Sequence, residues 1–412
     1  MRPFGSVISI DEARRLLSEH VRPIARIERV ALADAAGRVA AADVTATIAV
    51  PPFARSLMDG YALIAADTQT ASRSRPVDLR IVERLYTGQM ARQRISAGTC
   101  AEIATGAPIP EGADAVVMVE ESALLEPPSA GAAGGTGDRV NIFAAASPGQ
   151  NIGRRAADIS PGDFVVRRGD VLNPSRIGAL AAVGCGALDV YARPRVAVLS
   201  TGNEVVEPGT TLADAQIYDV NRFTLSAVIA AHGGVPDPRR PVIDTIEAVT
   251  AALDSCLSAD VILFSGGSSV GERDLIVDLV SERGQMVFHG IAVKPGKPTA
   301  FAIIGEIPFF GMPGNPTSCL SNAYILFAPF LRATARLPVF APRTVRATLG
   351  KRIVSPAGRH QFYTVRLQDG SAFPAFKGSG EITSLSQADG YIEIPSDQST
   401  IEEGAPVEVT LF

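Results

Sequence analysis

The sequence predicts a multidomain protein that combines α/β and β architecture. Strands alternate with helices over residues 190–335, which indicates a three-layer α/β domain with a mostly parallel sheet and helices on both faces. Residues 51–145 contain short strand-like runs separated by many turns, and the segment after Pro338 has the same character. These two segments predict β-rich domains, and a chain of 412 residues has room for two to four domains.

Composition and charge narrow the class of protein. Hydrophobic residues make up 46% of the chain and charged residues 20%, which is typical of a globular protein with an ample core. The net charge of −5 argues against a nucleic-acid-binding surface. We expect neither a signal peptide nor a membrane span, because the first residues lack an apolar core and no apolar run reaches about 18 residues.

The cysteines point to a reducing compartment. Cys100, Cys185, Cys256 and Cys319 are scattered and form no Cys-x-x-Cys pair, and the chain has only four histidines. We therefore expect buried thiols in the cytoplasm rather than a zinc or iron–sulfur site.

Hydrophobic periodicity and capping residues predict the elements in order. Six segments have helical spacing: 9–21, 174–183, 221–232, 245–257, 275–283 and 320–335. Five segments predict strands: 26–32, 41–48, 115–119, 195–199 and 260–264. Ser9 can cap the first helix, and Pro174 lies near the start of the second. The Ala-, Gly- and Pro-rich run 127–137 predicts a flexible loop.

The stretch 260–316 carries three loops rich in glycine and proline. Strand 260–264 runs directly into Ser265-Gly266-Gly267-Ser268-Ser269-Val270-Gly271, and Lys294-Pro295-Gly296-Lys297-Pro298 and Gly311-Met312-Pro313-Gly314-Asn315-Pro316 follow. Strand-to-helix loops at the carboxyl edge of a parallel sheet bind ligands in α/β proteins, and their backbone N–H groups favour anions. The three loops predict a phosphate-binding edge, although each of them could simply turn the chain.

Three carboxylates follow the same predicted sheet edge. Glu204 lies in a turn after strand 195–199, Asp244 precedes a helix, and Asp274 follows the glycine loop. Carboxylate oxygens suit Mg²⁺, which commonly bridges to substrate phosphates. Two of these residues have a simpler explanation, because Asp244 could cap its helix and Asp274 could favour a first helical turn.

The remaining candidates are two lysines, an aspartate and a threonine, all of which lie in turns. Lys294 and Lys297 flank a Pro-Gly turn between apolar runs, where point cations suit phosphate or molybdate oxyanions; the alternative is a solvated basic turn. Asp59, in Met58-Asp59-Gly60-Tyr61, and Thr105 are equally compatible with plain turn roles.

Taken together, these motifs resemble the molybdopterin molybdenumtransferase family, MoeA, whose eukaryotic relative is the C-terminal domain of gephyrin. The resemblance covers nearly the whole chain in order. It rests on these segments: 58–62, 105–108, 112–117, 151–158, 200–204, 219–221, 265–274, 294–298 and 313–316.

The resemblance implies four domains per chain and an L-shaped homodimer. An elongated, discontinuous domain I would comprise 1–50 and 146–180, and a β-rich domain II would be inserted at 51–145. Domain III, 181–337, would have the molybdopterin-binding, adenylyltransferase-like fold, and domain IV, 338–412, would be a small β domain. In such a dimer, the inserted domain of one protomer would face the sheet domain of its partner.

The resemblance also implies an activity: insertion of molybdate into adenylylated molybdopterin, with release of AMP that depends on Mg²⁺. The implied catalytic residues are Asp59, Thr105, Glu204, Asp244, Asp274 and Lys294, and the implied metal ligands are Glu204, Asp244 and Asp274. The implied cofactor-binding residues are Asp158, Ser265, Gly266, Gly267, Ser269, Gly271, Lys297, Pro313, Gly314, Asn315 and Pro316. The implied partners are an adenylyltransferase and the apo-proteins of molybdoenzymes, with no nucleic acid and no membrane.

Two other functions stay open at this point: an adenylyltransferase-like transfer of a nucleotide to molybdopterin, and a non-catalytic scaffold or chaperone that hands the cofactor to apo-enzymes. The chain also departs from the family pattern. Gly290 and Gly153 stand where some members carry a basic residue, and Thr364 stands where an arginine is frequent. Fewer cations would weaken oxyanion binding.

Overall fold

A computed structural model describes residues 7–125, 138–266, 275–355 and 358–412. The chain forms two compact units, one of Val30–Ala36 and Ala42–Leu188 and the other of Met1–Arg29, Gly37–Ala41 and Asp189–Phe412. The loop predicted at 127–137 lies outside the described residues, and the four predicted domain boundaries stay a prediction. In the part of the chain that the structure describes, we find no helix with the length and apolar character that a bilayer crossing requires.

Helices occur in both units. In chain order the α-helices are α1 (Ile10–Glu19), α2 (Pro174–Ala182), α3 (Asn221–Ala231), α4 (Ile246–Ser255), α5 (Leu275–Arg283), α6 (Pro316–Asn322), α7 (Ala328–Thr334) and α8 (Thr383–Ser386). A π-helical segment, Ala323–Phe327, joins α6 to α7, and short 3₁₀ turns cover Leu32–Asp34, Ala65–Thr68 and Val119–Glu121.

The strands are mostly short. In chain order they are β1 (Ile27–Ala31), β2 (Val44–Thr45), β3 (Arg55–Ser56), β4 (Gly60–Leu63), β5 (Val77–Leu85), β6 (Thr99–Ile103), β7 (Ala115–Met118), β8 (Ser122–Leu124), β9 (Arg139–Ile142), β10 (Ile152–Gly153), β11 (Phe164–Val166), β12 (Ala187–Tyr191), β13 (Arg195–Ser200), β14 (Val205–Val206), β15 (Ile217–Tyr218), β16 (Val235–Pro238), β17 (Val261–Ser265), β18 (Gln285–His289), β19 (Val293–Lys294), β20 (Ala300–Ile304), β21 (Ile307–Met312), β22 (Thr344–Leu349), β23 (Ile353–Val354), β24 (His360–Gln368), β25 (Ser371–Pro374), β26 (Gly390–Ile394), β27 (Thr400–Ile401) and β28 (Pro406–Leu411).

The unit that contains residues 42–188 is built on a six-stranded sheet in the order β7-β4-β6-β5-β9-β8. β5 and β6 are parallel, and the other neighbouring pairs are antiparallel. Because side chains alternate along a strand, Tyr61 and Leu63 of β4 pack in one core and Ala62 packs in another. Both faces of the sheet are therefore covered, and the prediction of β-rich architecture in this part of the chain is confirmed.

The other unit contains the central α/β sheet, in the order β16-β13-β17-β21-β20-β18. The first four strands are parallel, and β20 and β18 run antiparallel to their neighbours. Val198 faces the core formed with α3 and α7, and Leu199, the next residue, faces the core formed with α4 and α5. The prediction of a three-layer domain with a mostly parallel sheet is confirmed.

The C-terminal segment forms a small barrel-like sheet. Its strands follow the order β19-β24-β25-β22-β28-β26, and β24 also pairs with β26, which closes the ring. β19, which belongs to the loop 290–299 of the α/β domain, joins this ring in parallel: Val293 lies opposite His360, and Lys294 lies opposite Gln361. The sheet domain and the barrel therefore share a strand next to the two predicted lysines.

Two element predictions need correction. The strand predicted at 41–48 is only β2, because its partner β11 offers three residues with an irregular register. The helix predicted at 320–335 starts earlier, at Pro316, and passes through the π-helical segment. Proline fits the first helical position, since its missing N–H is not needed there.

The thiols behave largely as expected. Cys100, Cys256 and Cys319 are buried, while Cys185 is only partly buried. Burial raises the pKa of Cys100 to about 12, and it raises the pKa of Cys319 equally, to about 12. These two thiols are therefore packing groups rather than nucleophiles.

Candidate active site

The carboxyl ends of the parallel strands open into a cleft of about 1140 Å³. β13 contributes Ser200, β17 contributes Ser265, and the loop after β21 contributes Pro313 and its neighbours. The cleft lies where open α/β sheets bind ligands. The predicted site residues that line it are Glu204, Asp244, Ser265, Gly266, Lys294, Lys297, Pro313, Gly314, Asn315 and Pro316. Gly267, Ser269, Gly271 and Asp274 lie outside the described residues.

Asn221, the first residue of α3, ties the strand ends together. Its side-chain Nδ2 donates to Ser265 Oγ at 2.7 Å and to the carbonyl oxygen of Gly314 at 2.7 Å. A single buried amide therefore holds the end of β17 against the loop after β21. At the level of the sequence, Asn221 marks the start of a predicted helix and belongs to one motif of the family resemblance, and neither indicates this bridging role.

The carboxylate of Asp219 also lines the cleft, but protein groups already engage it. Asp219 Oδ1 accepts hydrogen bonds from Ser200 Oγ at 3.3 Å and from the backbone N–H of Arg222 at 3.0 Å. The guanidinium of Arg222 lies 3.3 Å from Asp219 Oδ2 and also binds Glu207. Asp219 is therefore a structural carboxylate at the cleft floor.

Glu204 and Asp244 are exposed in the cleft and differ from Asp219 in this respect. The Glu204 carboxylate folds over Gly202, so that a Cβ built on Gly202 would lie 2.9 Å from Glu204 Oε2. The capping explanation for Asp244 is wrong, because Thr245 caps α4 and its hydroxyl accepts the N–H of Ala248. Both side chains offer the oxygen donors that a hard divalent cation prefers, and among the described residues no group of three or more His, Cys, Asp and Glu side chains that could hold a metal ion is present.

Lys294 and Lys297 lie on one half-buried turn and both line the cleft. Pro295 and Gly296 between them are buried. The backbone closes the turn through a hydrogen bond from Ile291 N–H to the carbonyl oxygen of Lys297 at 2.9 Å. The turn is therefore packed into the molecule, which argues against the alternative of a solvated basic turn.

The barrel supplies a second wall of the cleft, which sequence analysis did not predict. Arg359 and Lys377 add two cations to Lys294 and Lys297, and the turn at Ser379 completes this wall. Ser379 Oγ accepts from Asn315 Nδ2 at 3.1 Å, and its carbonyl oxygen accepts from the N–H of Thr317 at 3.1 Å. The Gly378-Ser379-Gly380 sequence is typical of a turn, and only the tertiary structure places this turn beside α6.

Asp59, Thr105 and Asp158 belong to the other compact unit. Asp59 Oδ1 accepts from the N–H of Thr105 at 2.7 Å and from its hydroxyl at 3.0 Å. These bonds, the backbone bond first, lower the pKa of Asp59. Asp59 borders a small pocket of about 170 Å³ with Arg84 and Glu102. Asp158 is exposed, and its backbone N–H donates to the carbonyl oxygen of Val50.

Family models match almost the whole chain in three consecutive segments. Residues 8–184 match the "MoeA N-terminal region (domain I and II)", residues 197–333 match the "Probable molybdopterin binding domain", and residues 346–412 match the "MoeA C-terminal region (domain IV)". The C-terminal match covers the barrel strands that carry the second wall of the cleft.

Curated relatives agree with these models. Molybdopterin molybdenumtransferase 2 of Mycobacterium tuberculosis is 33% identical over 97% of this chain and 98% of its own. Molybdopterin molybdenumtransferase of Haemophilus influenzae is 31% identical over 98% of this chain and 99% of its own. A solved MoeA structure from Pyrococcus horikoshii has a TM-score of 0.82 at 36% identity, and it covers 98% of this chain and 99% of that one. The chain therefore belongs to the MoeA family.

Proposed function

We propose that this protein inserts molybdate into adenylylated molybdopterin and releases AMP. The observation that carries the proposal is the cleft, in which two exposed carboxylates and four cations surround the carboxyl edge of a parallel sheet. Phosphoanhydride cleavage and oxyanion binding both need dispersed positive charge, and the cleft supplies it. The full-length similarity to proteins named molybdopterin molybdenumtransferase supports the same reaction.

The roles of the residues follow from their positions. Lys294, Lys297 and Arg359 would bind oxyanions, since their charges line one cleft. The backbone at Gly266 and Gly314 would lie against the substrate, because glycine has no side chain to hold a ligand away. As charge develops on the leaving AMP phosphate, the cationic side of the cleft would stabilise it.

Glu204 and Asp244 would hold Mg²⁺, and Asp274 is the third predicted ligand. Bound Mg²⁺ supplies Lewis acidity and neutralises charge on the phosphoanhydride. Glu204→Gln and Asp244→Asn should therefore raise the Mg²⁺ concentration that AMP release requires. Because both residues are exposed, these variants should keep the wild-type fold.

The decisive experiment follows AMP release from adenylylated molybdopterin with Mg²⁺ and low molybdate. Release that depends on molybdate supports the proposal. AMP formation that proceeds equally without molybdate contradicts it, and so does binding without turnover, which would favour a scaffold. Incubation with ATP and free molybdopterin tests the adenylyltransferase alternative, which predicts pyrophosphate release.

We also propose that the protein works as a homodimer in the cytoplasm. The family resemblance supports the dimer, and buried thiols are compatible with a reducing compartment. Sedimentation velocity at micromolar concentration measures the assembly directly, and a monomer at concentrations that give full activity would refute the dimer.

A further inference from the structure

A buried triangle of hydrogen bonds lies under the lysine turn. Nδ2 of Asn322 donates to the carbonyl oxygen of Gly296 at 2.8 Å and to Thr299 Oγ1 at 2.6 Å. The Thr299 hydroxyl donates to the same Gly296 carbonyl at 2.9 Å. Asn322 and Thr299 are each 1% exposed. Three polar groups from two segments of the chain are thus bonded to one another out of contact with water.

The triangle fits this backbone closely. Gly296 has φ +102°, and a Cβ built on it would lie 2.2 Å from Asn322 Nδ2. The amide of Asn322 therefore packs directly against the glycine whose carbonyl it binds. Asn322 is the last residue of α6, a helix whose first residue, Pro316, lines the cleft. The floor of the turn is thereby fixed to a helix that begins at the site.

Packing alone does not account for a polar residue at position 322. The Oδ1 atom of Asn322 is buried and has no hydrogen-bond partner among the described residues. A buried polar atom without a partner costs free energy, which an apolar side chain at this position would avoid. The neighbouring residues Cys319 and Ala323 are fully buried and largely apolar. The two N–H bonds of Asn322 are the interactions that distinguish it from an apolar residue.

These bonds act on the part of the turn that carries the cations. Gly296 lies between Lys294 and Lys297, and its carbonyl belongs to the peptide that leads into Lys297. The other side of the turn is held by the backbone, through Ile291 N–H to Lys297 and Gly290 N–H to Thr299, each at 2.9 Å. Without the triangle, the Gly296 peptide would lose the side-chain hydrogen bonds that fix its carbonyl, and the direction of Lys297 would be less restricted.

We propose that Asn322 and Thr299 are positioning residues that hold Lys294 and Lys297 in the geometry for oxyanion binding. This inference rests on the proposed function, since it assigns the lysine turn to molybdate. The two residues touch neither substrate nor reacting atoms; they act through the Gly296 carbonyl. Their loss should weaken binding of molybdate and leave binding of the pterin largely unchanged.

Thr299→Val is the main test, because valine keeps the shape of threonine and removes its hydroxyl. Thr299→Ser is the matched rescue variant, since it restores a hydroxyl at the same carbon. Asn322→Asp keeps the shape of asparagine but replaces the donating Nδ2 with a carboxylate oxygen. That oxygen would face two oxygen atoms, the Gly296 carbonyl oxygen and Thr299 Oγ1. Ser321→Ala is the control on the same helix, because Ser321 is also buried and is not among the described residues that line the cleft.

Two measurements are made on each purified full-length variant: equilibrium dialysis with molybdate alone, and AMP release against molybdate concentration. We expect Thr299→Val and Asn322→Asp to raise the dissociation constant and the half-saturating molybdate concentration about tenfold, as the loss of a buried hydrogen bond implies. The rate at saturating molybdate and the KM for adenylylated molybdopterin should change less than about twofold. Thr299→Ser and Ser321→Ala should match the wild type.

Folded Thr299→Val protein with wild-type molybdate affinity overturns the inference, and so does a Thr299→Ser variant as impaired as Thr299→Val. If Asn322→Asp does not fold, the valine and serine pair at position 299 still decides. Failure of the proposed function is distinguishable. If the proposed function fails, the wild type releases no AMP. Dialysis still measures how loss of the hydrogen-bond triangle changes the dissociation constant for molybdate. A wild-type protein that binds no molybdate at all overturns both.

Discussion

Gly266, at the end of β17, offers a direct test of how tightly the cleft floor is built. Its φ is +122°, and a Cβ on it would lie 2.3 Å from the carbonyl oxygen of Thr201 and 2.7 Å from Thr201 Oγ1. Gly266→Ala therefore combines a backbone conformation that costs about 1–3 kcal/mol with an overlap that costs about 1–3 kcal/mol. Because the carbonyl belongs to the neighbouring strand end, it cannot rotate away as a flexible side chain could.

The two costs together predict destabilisation of about 2–6 kcal/mol. In a domain of this size, that lowers the midpoint of thermal unfolding by about 10 °C. Gly314→Ala is the matched control, since it lines the same cleft and its Cβ would meet only the Cα of Gly266, at 3.7 Å. Thermal scans monitored by circular dichroism compare both variants with the wild type. A Gly266→Ala midpoint equal to that of Gly314→Ala would show that the strand ends are not in close contact.

Three further outcomes follow from single residues. Gly178→Ala, on an exposed face of α2 with open space around the added methyl group, should raise the unfolding midpoint by about 2 °C, since alanine favours helix. Lys294→Ala should raise the molybdate concentration for half-maximal AMP release about tenfold while pterin binding persists, and unchanged molybdate dependence would place the oxyanion elsewhere. Burial acts to raise the pKa of Asp260, but its hydrogen bonds from Arg26 and from the N–H of Arg195 outweigh burial and lower it. The stabilisation by Asp260 is thus complete above its ordinary pKa and is lost as the pH falls through the lowered value, so Asp260→Asn should flatten the acid limb of a plot of stability against pH.

The sequence predicts those parts of the fold that depend on local patterns. Alternating apolar residues in 195–199 and 260–264 place β13 and β17 correctly, and the glycine loop at Ser265 marks the edge where the cleft opens. Periodicity does not show where a partner strand ends, which is why β2 is shorter than the predicted strand. Nor does periodicity show the π-helical segment after Asn322. The residues there are apolar on nearly all sides of the helix, so the extra residue per turn does not change the pattern.

The residues of the candidate site also divide into those that local sequence patterns predict and those that only the tertiary structure brings to the cleft. Glu204 is predictable because it lies in a turn directly after a predicted strand, and Lys294 and Lys297 are predictable because they flank a Pro-Gly turn between apolar runs. Arg359 and Lys377 are not predictable in this manner, because they reach the cleft only when the barrel docks on the α/β domain. That docking depends on pairings between distant segments, such as β19 with β24, and local patterns do not encode them.

The pairing of β19 with β24 has a consequence for how the cleft works. Lys294 lies in β19, opposite Gln361, and Arg359 directly precedes β24, so backbone hydrogen bonds hold these two cations in one sheet. Glu204 and Asp244 follow strands of the α/β sheet instead. Because the loop 290–299 that contains β19 is part of the α/β domain and is bonded to Asn322 of α6, the pairing of β19 with β24 fixes the barrel wall against the sheet edge that carries the carboxylates.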